Sequence, residues 1–181
     1  MRSDSTSDVV TAALAEFAAM RSEIDELGRS QRTTINLNIS AAAAVFAFVL
    51  SERADQRLLL VVPLISAALG LLYQAYTVHA RNLGDYIDQQ IRPVVVEHTG
   101  EDRLLGWERH VRTALHRQRH SQLVMRLAYI LLIPAIPAVS LVWVVPYLNT
   151  VWLWLGWTAG TVLFLVQILV WYRDMRTFLW I

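Results

Sequence analysis

The chain has 181 residues, no cysteine and no lysine, and charged residues make up only 17 % of it. Each shortage excludes something. Without cysteine there is no disulfide, no thiolate nucleophile and no cysteine-ligated metal. Without lysine, all 16 cationic residues are arginine, which together with the abundant alanine fits a GC-rich genome and reads as codon bias before function. The charge shortage stands against roughly 25 % in an average soluble domain, while 55 % of the residues are hydrophobic. Catalytic signatures are also missing. There is no glycine-rich phosphate loop, no nucleophile elbow and no pair of carboxylates in or near an apolar segment, so an enzyme is not expected and one acting on lipids ranks last. No strand alternation is found, and no signal peptide: the first thirty-odd residues are charged and helical, and the first apolar block comes too late.

What is present is segregation. The apolar residues gather in four blocks and nearly all the charge lies between them, whereas a soluble protein mixes the two along every amphipathic helix. Leu58 to Tyr76 carries no charge and has the length of about 20 residues that a bilayer needs. Leu127 to Pro146 is equally apolar and holds Pro134 and Pro137, which are expected to bend it. Val151 to Tyr172 is rich in tryptophan. Ile35 to Ser51 is the weakest block, short and alanine-rich, with Asn36, Asn38 and Ser40 at its start. Short links at Ser51–Arg57 and Pro146–Thr150 pair the blocks. The expectation is an all-α integral membrane protein with four transmembrane helices in two hairpins and cytoplasmic helical extensions. Its segments are 1–34, a heptad helix; 35–76, the first hairpin; 77–126, a cytoplasmic helical hairpin; 127–172, the second hairpin; and 173–181, a tail.

The arginines orient the chain. With the N-terminus in the cytoplasm, 14 arginines face inward and only Arg53 and Arg57 outward, and cytoplasmic segments are the ones that carry such an excess. Trp143, Tyr147, Trp152 and Trp154 would form an outer aromatic belt, and Tyr129, Trp171, Tyr172 and Trp180 an inner one. The chain is therefore expected as a multi-pass protein of a bacterial cytoplasmic (inner) membrane, with both termini cytoplasmic.

Before the first block, Val10, Ala13, Phe17, Met20, Ile24, Leu27, Gln31 and Thr34 recur at alternating spacings of three and four, and the same register runs on through Asn38. This is a coiled-coil seam. It fits a helix packed on this chain's own cytoplasmic helices and equally a self-associating bundle about a symmetry axis; only the second predicts an oligomer. After the second block, helix is expected to run to Ile91 and stop at Pro93, with Val94–Gly100 a loop. A further helix from about Glu101 into the third block would carry an apolar stripe of Leu104, Trp107, Val111, Ala114 and Leu115.

That helix also carries the basic cluster Arg103 to Arg126. Arg109, Arg112, His116 and Arg119 share one face, which suits an anionic small molecule, a nucleotide or an oligonucleotide, and equally lipid headgroups or the enforcement of topology. His116 and His120 have metal-ligand spacing, but His110 and Glu108 fall on other faces, so no metal and no cofactor is expected. Polar residues inside spans call for a functional reading. Asn36, Asn38 and Phe46 are pore-lining candidates if the first span lies on a symmetry axis, and interhelical hydrogen bonding is the plainer role of the asparagines. Gln74 and His79 close the second span, and Thr158, Thr161 and Gln167 punctuate the fourth. Gly156 and Gly160 form a close-contact motif for helix packing, within or between chains.

The helical arm leading into the first span and the Arg103–Arg126 stripe give the chain an architecture that resembles small multi-span membrane effector proteins of bacterial anti-phage defence systems. The resemblance implies a cytoplasmic helical sensor coupled to a membrane pore and carries no functional residue across. The preferred expectation is thus a homo-oligomeric pore or channel-like effector, with Phe17, Ile24, Gly156 and Gly160 as oligomerisation candidates. Its partners would be the bilayer, further copies of itself, and an anionic ligand or a cytoplasmic protein. The alternative is a non-conducting membrane scaffold or anchor.

Overall fold

From Arg2 to Leu50 the chain contains no proline and its only glycine is Gly28, so nothing in it forces a break, and alanine is the strongest helix former. In the computed structural model this stretch is one helix, α1 (Arg2–Leu50). Residues 2–51, 55–101, 105 and 134–179 are described, the side chains from 8 to 173 among them. A link at Asp55, whose carboxylate accepts from the Arg57 amide at 2.9 Å, starts a 3-10 turn over Gln56–Leu60. It leads into α2 (Val61–Tyr86).

Beyond Tyr86 the helix departs from the expectation drawn at Pro93. A π-helical turn spans Ile87–Ile91 and α3 (Arg92–Thr99) follows directly, with Pro93 in its first turn. Proline lacks an amide hydrogen and its ring clashes with the carbonyl four residues back. A turn bonded i to i+5 realigns the carbonyls there, which lets helix continue. Val94–Gly100 is therefore not a loop. Helix ends at Gly100, whose φ of 71° gives the left-handed cap that glycine adopts without strain. The remaining described elements are α4 (Pro134–Tyr147), whose last turn tightens to 3-10 over Val145–Tyr147, and α5 (Val151–Leu179). No strand occurs among the described residues.

Among the described residues, three helices are long and apolar enough to cross a membrane: Asp8–Leu50 in α1, the run Gln56–Thr99, and Val151–Arg173 in α5. At about 1.5 Å per residue, the 49 residues of α1 span about 73 Å, more than twice a hydrocarbon core of about 30 Å. Its charged first half must therefore extend beyond the bilayer. Pro134–Tyr147 is apolar but shorter, and residues 106–133, where the third block and the arginine stripe begin, lie outside the described residues.

The chain forms two compact units. One comprises Met1–Gln31 and Tyr76–Val124, the other Arg32–Ala75 and Met125–Ile181. In the first, Ala13, Ile87, Ile91 and Val95 make the buried core, with Phe17, Met20, Ile24, Val94 and Leu105 packed against it. In the second, the core is Ala42, Val49, Leu59, Val62, Val144 and Leu148, joined by Val45, Phe46, Leu60, Ile136, Leu153 and Trp157.

Candidate functional site

In the first unit the seam of α1 is occupied by the chain itself. Polar ties flank it: Tyr86 Oη donates to Glu16 Oε1 at 2.8 Å, His79 Nε2 lies 2.8 Å from Glu23 Oε1, and Gln31 Nε2 donates to Thr77 Oγ1 at 3.0 Å. Glu16 and Glu23 are seven apart, as are His79 and Tyr86, so the antiparallel helices share one heptad register. Proton sharing with Glu16, and the negative charge of that carboxylate, raise the Tyr86 phenol above its ordinary value near 10. Phe17 and Ile24 are partly buried against the core of this unit.

The second unit separates the polar residues of the first apolar block. Asn38 is 4 % exposed and Ser66 is 1 % exposed, and Ser66 Oγ donates to Asn38 Oδ1 at 2.8 Å. Phe46 packs on the core of this unit. Asn36, in contrast, is exposed. Two residues amount to about 200° around a helix, so a single lining cannot hold both asparagines. The seam register already implied this division: continued from Thr34 to Asn38 it buries Asn38 and turns Asn36 outward.

The outward face of α1 has its own pattern. Thr33, Asn36, Ser40, Ala43 and Ala47 are all exposed and recur at spacings of three, four, three and four. The outward face of α5 is bulkier: Trp152, Leu155, Val162, Leu165 and Leu169 are exposed and apolar, with Thr158 and Ala159 exposed between them. Lipid chains solvate the second surface well, whereas small and polar residues mark helix contacts or water.

Gly156 and Gly160 are also satisfied internally. A methyl added at Gly160 would lie 3.1 Å from Pro63 Cγ, and one at Gly156 would lie 3.8 Å from Leu60 Cδ1. The close-contact motif thus seats α5 on Pro63 of α2 and on Leu60 of the turn before it. Trp157 Nε1 donates to the Leu141 carbonyl at 2.9 Å, and Trp143 Nε1 to Gln56 Oε1 at 2.9 Å.

One further feature joins residues that sequence spacing left apart. Gly70 and Gln74 of α2 meet Gln167 and Trp171 of α5 around a cleft that Leu71, Tyr73 and Pro134 also line. A side chain at Gly70 would collide with the Gln167 amide, so glycine is what admits that amide. Gln74 is 7 % exposed, and its Nε2 and Gln167 Oε1 are buried without a hydrogen-bond partner. Both glutamines stood out in the sequence as polar residues in apolar spans; their meeting depends on how α2 and α5 pack.

Comparison with known proteins assigns no family. No protein-family model, curated protein or solved structure matches the chain. Among the described residues no group of three or more His, Asp or Glu is placed to hold a metal ion. Arg109, Arg112, His116 and Arg119 lie outside the described residues.

Proposed function

We propose that the chain is a homo-oligomeric membrane pore, a channel-like effector whose cytoplasmic helices respond to an anionic ligand or partner. In this reading four spans form two hairpins: α1 with α2, and the helix containing α4 with α5. Both termini lie in the cytoplasm of a bacterial inner membrane. The arginine distribution supports this orientation, and so do the exposed Trp152 and Trp154 near the start of α5, where an outer aromatic belt is expected.

One observation carries the pore reading: the outward heptad stripe Thr33, Asn36, Ser40, Ala43 and Ala47 on α1, opposite a fully used inward seam. Three polar side chains and two alanines make a poor lipid surface but a good close contact or water-facing wall. The bulky apolar face of α5 would then meet lipid. Asn36 and Ser40 are better placed than Asn38 or Phe46 to line a path between copies. The arginine stripe of residues 109–119 is assigned to the anionic ligand or to lipid headgroups.

The absence of cysteine makes the test direct. Asn36→Cys, Ser40→Cys and Ala43→Cys are each reconstituted in a planar bilayer and exposed to a charged thiol reagent, with Asn38→Cys and Val162→Cys as controls. Discrete current steps that the reagent blocks at 36, 40 and 43 but not at 38 or 162 are expected. A silent bilayer with an intact oligomer, persisting across anionic ligands, would replace the pore by a non-conducting scaffold. A monomer in mild detergent would refute both the oligomer and the pore.

A further inference from the structure

We propose that the flank of α2 and α3 carrying Arg81, Asp85, Asp88 and Arg92 is the docking surface for residues 106–124 of the same chain, with Asp88 taking Arg112. The contact itself is independent of conduction. It rests on the proposed function only in its consequence, that an anionic ligand reaches Arg112 by displacing a carboxylate of its own chain.

The four flank residues recur at spacings of four, three and four, so they share one face of the continuous helix. That face is charged and yet withdrawn from water: Arg81, Asp85 and Asp88 are half-buried and Arg92 is 7 % exposed. Charges at such depth are held by opposite charges. The charge balance points to their source. Residues 8–31 and 76–101 of the first unit hold nine carboxylates and four arginines, whereas residues 106–124 hold four arginines and one glutamate. The unit extends to Val124, so its acidic and basic parts belong to one compact body.

Two anchored points set the register. Gly100 ends α3 with its left-handed cap, and Leu105 packs against the cluster of Ala13, Ile87, Ile91 and Val95, so the chain has turned back by Leu105. Set beside Val95, the member of that cluster nearest the turn, Leu105 leads into an antiparallel helix that brings Glu108 to Arg92 and Arg112 to Asp88. His116 then falls within one residue of the level of Asp85. Opposite charges meet at the first two levels, and at the third an imidazole meets a carboxylate. One turn away from this register Glu108 would face Asp88, and Arg112 would face Gly84. At the fourth level Arg119 meets Arg81, so the complementarity ends there.

The test reads modification of the arginines by phenylglyoxal, followed by peptide mass spectrometry, on the full chain in phosphatidylcholine nanodiscs with no ligand added. Arg112 should react about fivefold more slowly than Arg117, the protection that one ion pair confers, because this register turns Arg117 away from the flank. Asp88→Asn should bring the two rates together. The chain has no cysteine of its own, so a disulfide gives a second reading. Asp88→Cys should bond to Arg112→Cys on oxidation and not to Glu108→Cys or Arg117→Cys, since the bond forms only between Cα atoms within about 7 Å.

Equal modification of Arg112 and Arg117 in the unaltered protein would overturn the proposal, leaving the flank to ion pairs within α2 and α3. A disulfide from position 88 to 108 in place of 112 would overturn it likewise. Because the first comparison needs no substitution, a variant that fails to fold does not rescue the idea. Neither reading involves current, so a silent planar bilayer leaves the docking untouched, and a conducting protein with equal rates keeps the pore while removing this contact.

Discussion

The bond between Ser66 and Asn38 offers the sharpest quantitative check, because it decides which face of α1 looks inward. Ser66→Ala removes the donor and leaves the buried Asn38 Oδ1 without it. Asn38→Ala removes the acceptor and opens a small void. A double-mutant cycle cancels the void and isolates the pair. Interhelical hydrogen bonds in membranes have couplings averaging about 0.6 kcal/mol and reaching about 1.7 kcal/mol. A 2.8 Å bond between groups that are 4 % and 1 % exposed belongs in the upper half of that range. We expect about 1 kcal/mol, close to a fivefold change in the unfolding equilibrium. The assay is unfolding in mixed micelles by increasing SDS, followed by tryptophan fluorescence and far-UV circular dichroism. A coupling within the additivity error of about 0.3–0.5 kcal/mol, with both single variants destabilised, would refute the reasoning. Asn38 would then face water or another copy, as a pore-lining assignment requires.

The glycine pair should split. Gly160→Ala is expected to destabilise by about 1 kcal/mol through crowding of Pro63, while Gly156→Ala, with its nearest neighbour at 3.8 Å, should be neutral or gain up to about 1 kcal/mol of helix propensity; the same SDS titration reads both. Gly100→Ala should cost about 1 kcal/mol because φ is 71° with open space around the site, and Gly100→Asn should cost less; near-zero for Ala would mean the cap is not left-handed. Phe17→Ala should lower the stability of the first unit by about 2 kcal/mol for a half-buried aromatic and leave the proposed oligomer intact by light scattering, since its ring packs within the chain. For Tyr86 the folded pKa lies above the ordinary 10, so its contribution is complete below pH 10 and is lost as pH rises through the folded value. Tyr86→Phe should flatten that alkaline decline, and an identical decline in both proteins would exclude the Glu16 bond as its source.

Much of the helical character was legible in advance for a simple reason. The segregation of apolar and charged residues and the lack of strand alternation are one-dimensional signals, set by the bilayer's demand for uncharged runs and by helix periodicity. The seam from Val10 to Thr34 is of the same kind. Pro93 misled because its local cost can be absorbed by a π-helical turn at Ile87–Ile91, which depends on Ile87, Ile91 and Val95 burying together. That burial is a tertiary gain, and it outweighs a local preference.

What the sequence by itself determined is the class of the protein and the division of α1 into a charged and an apolar half, since hydrophobicity and charge act residue by residue. Partner choice was left to the tertiary structure. Whether the seam of Phe17 and Ile24 closes on its own chain, whether Gly160 meets Pro63, and whether Gln74 and Gln167 share a cleft all depend on side-chain packing between segments distant in sequence. Spacing along one helix says which residues share a face, and only the packed helices say what that face meets.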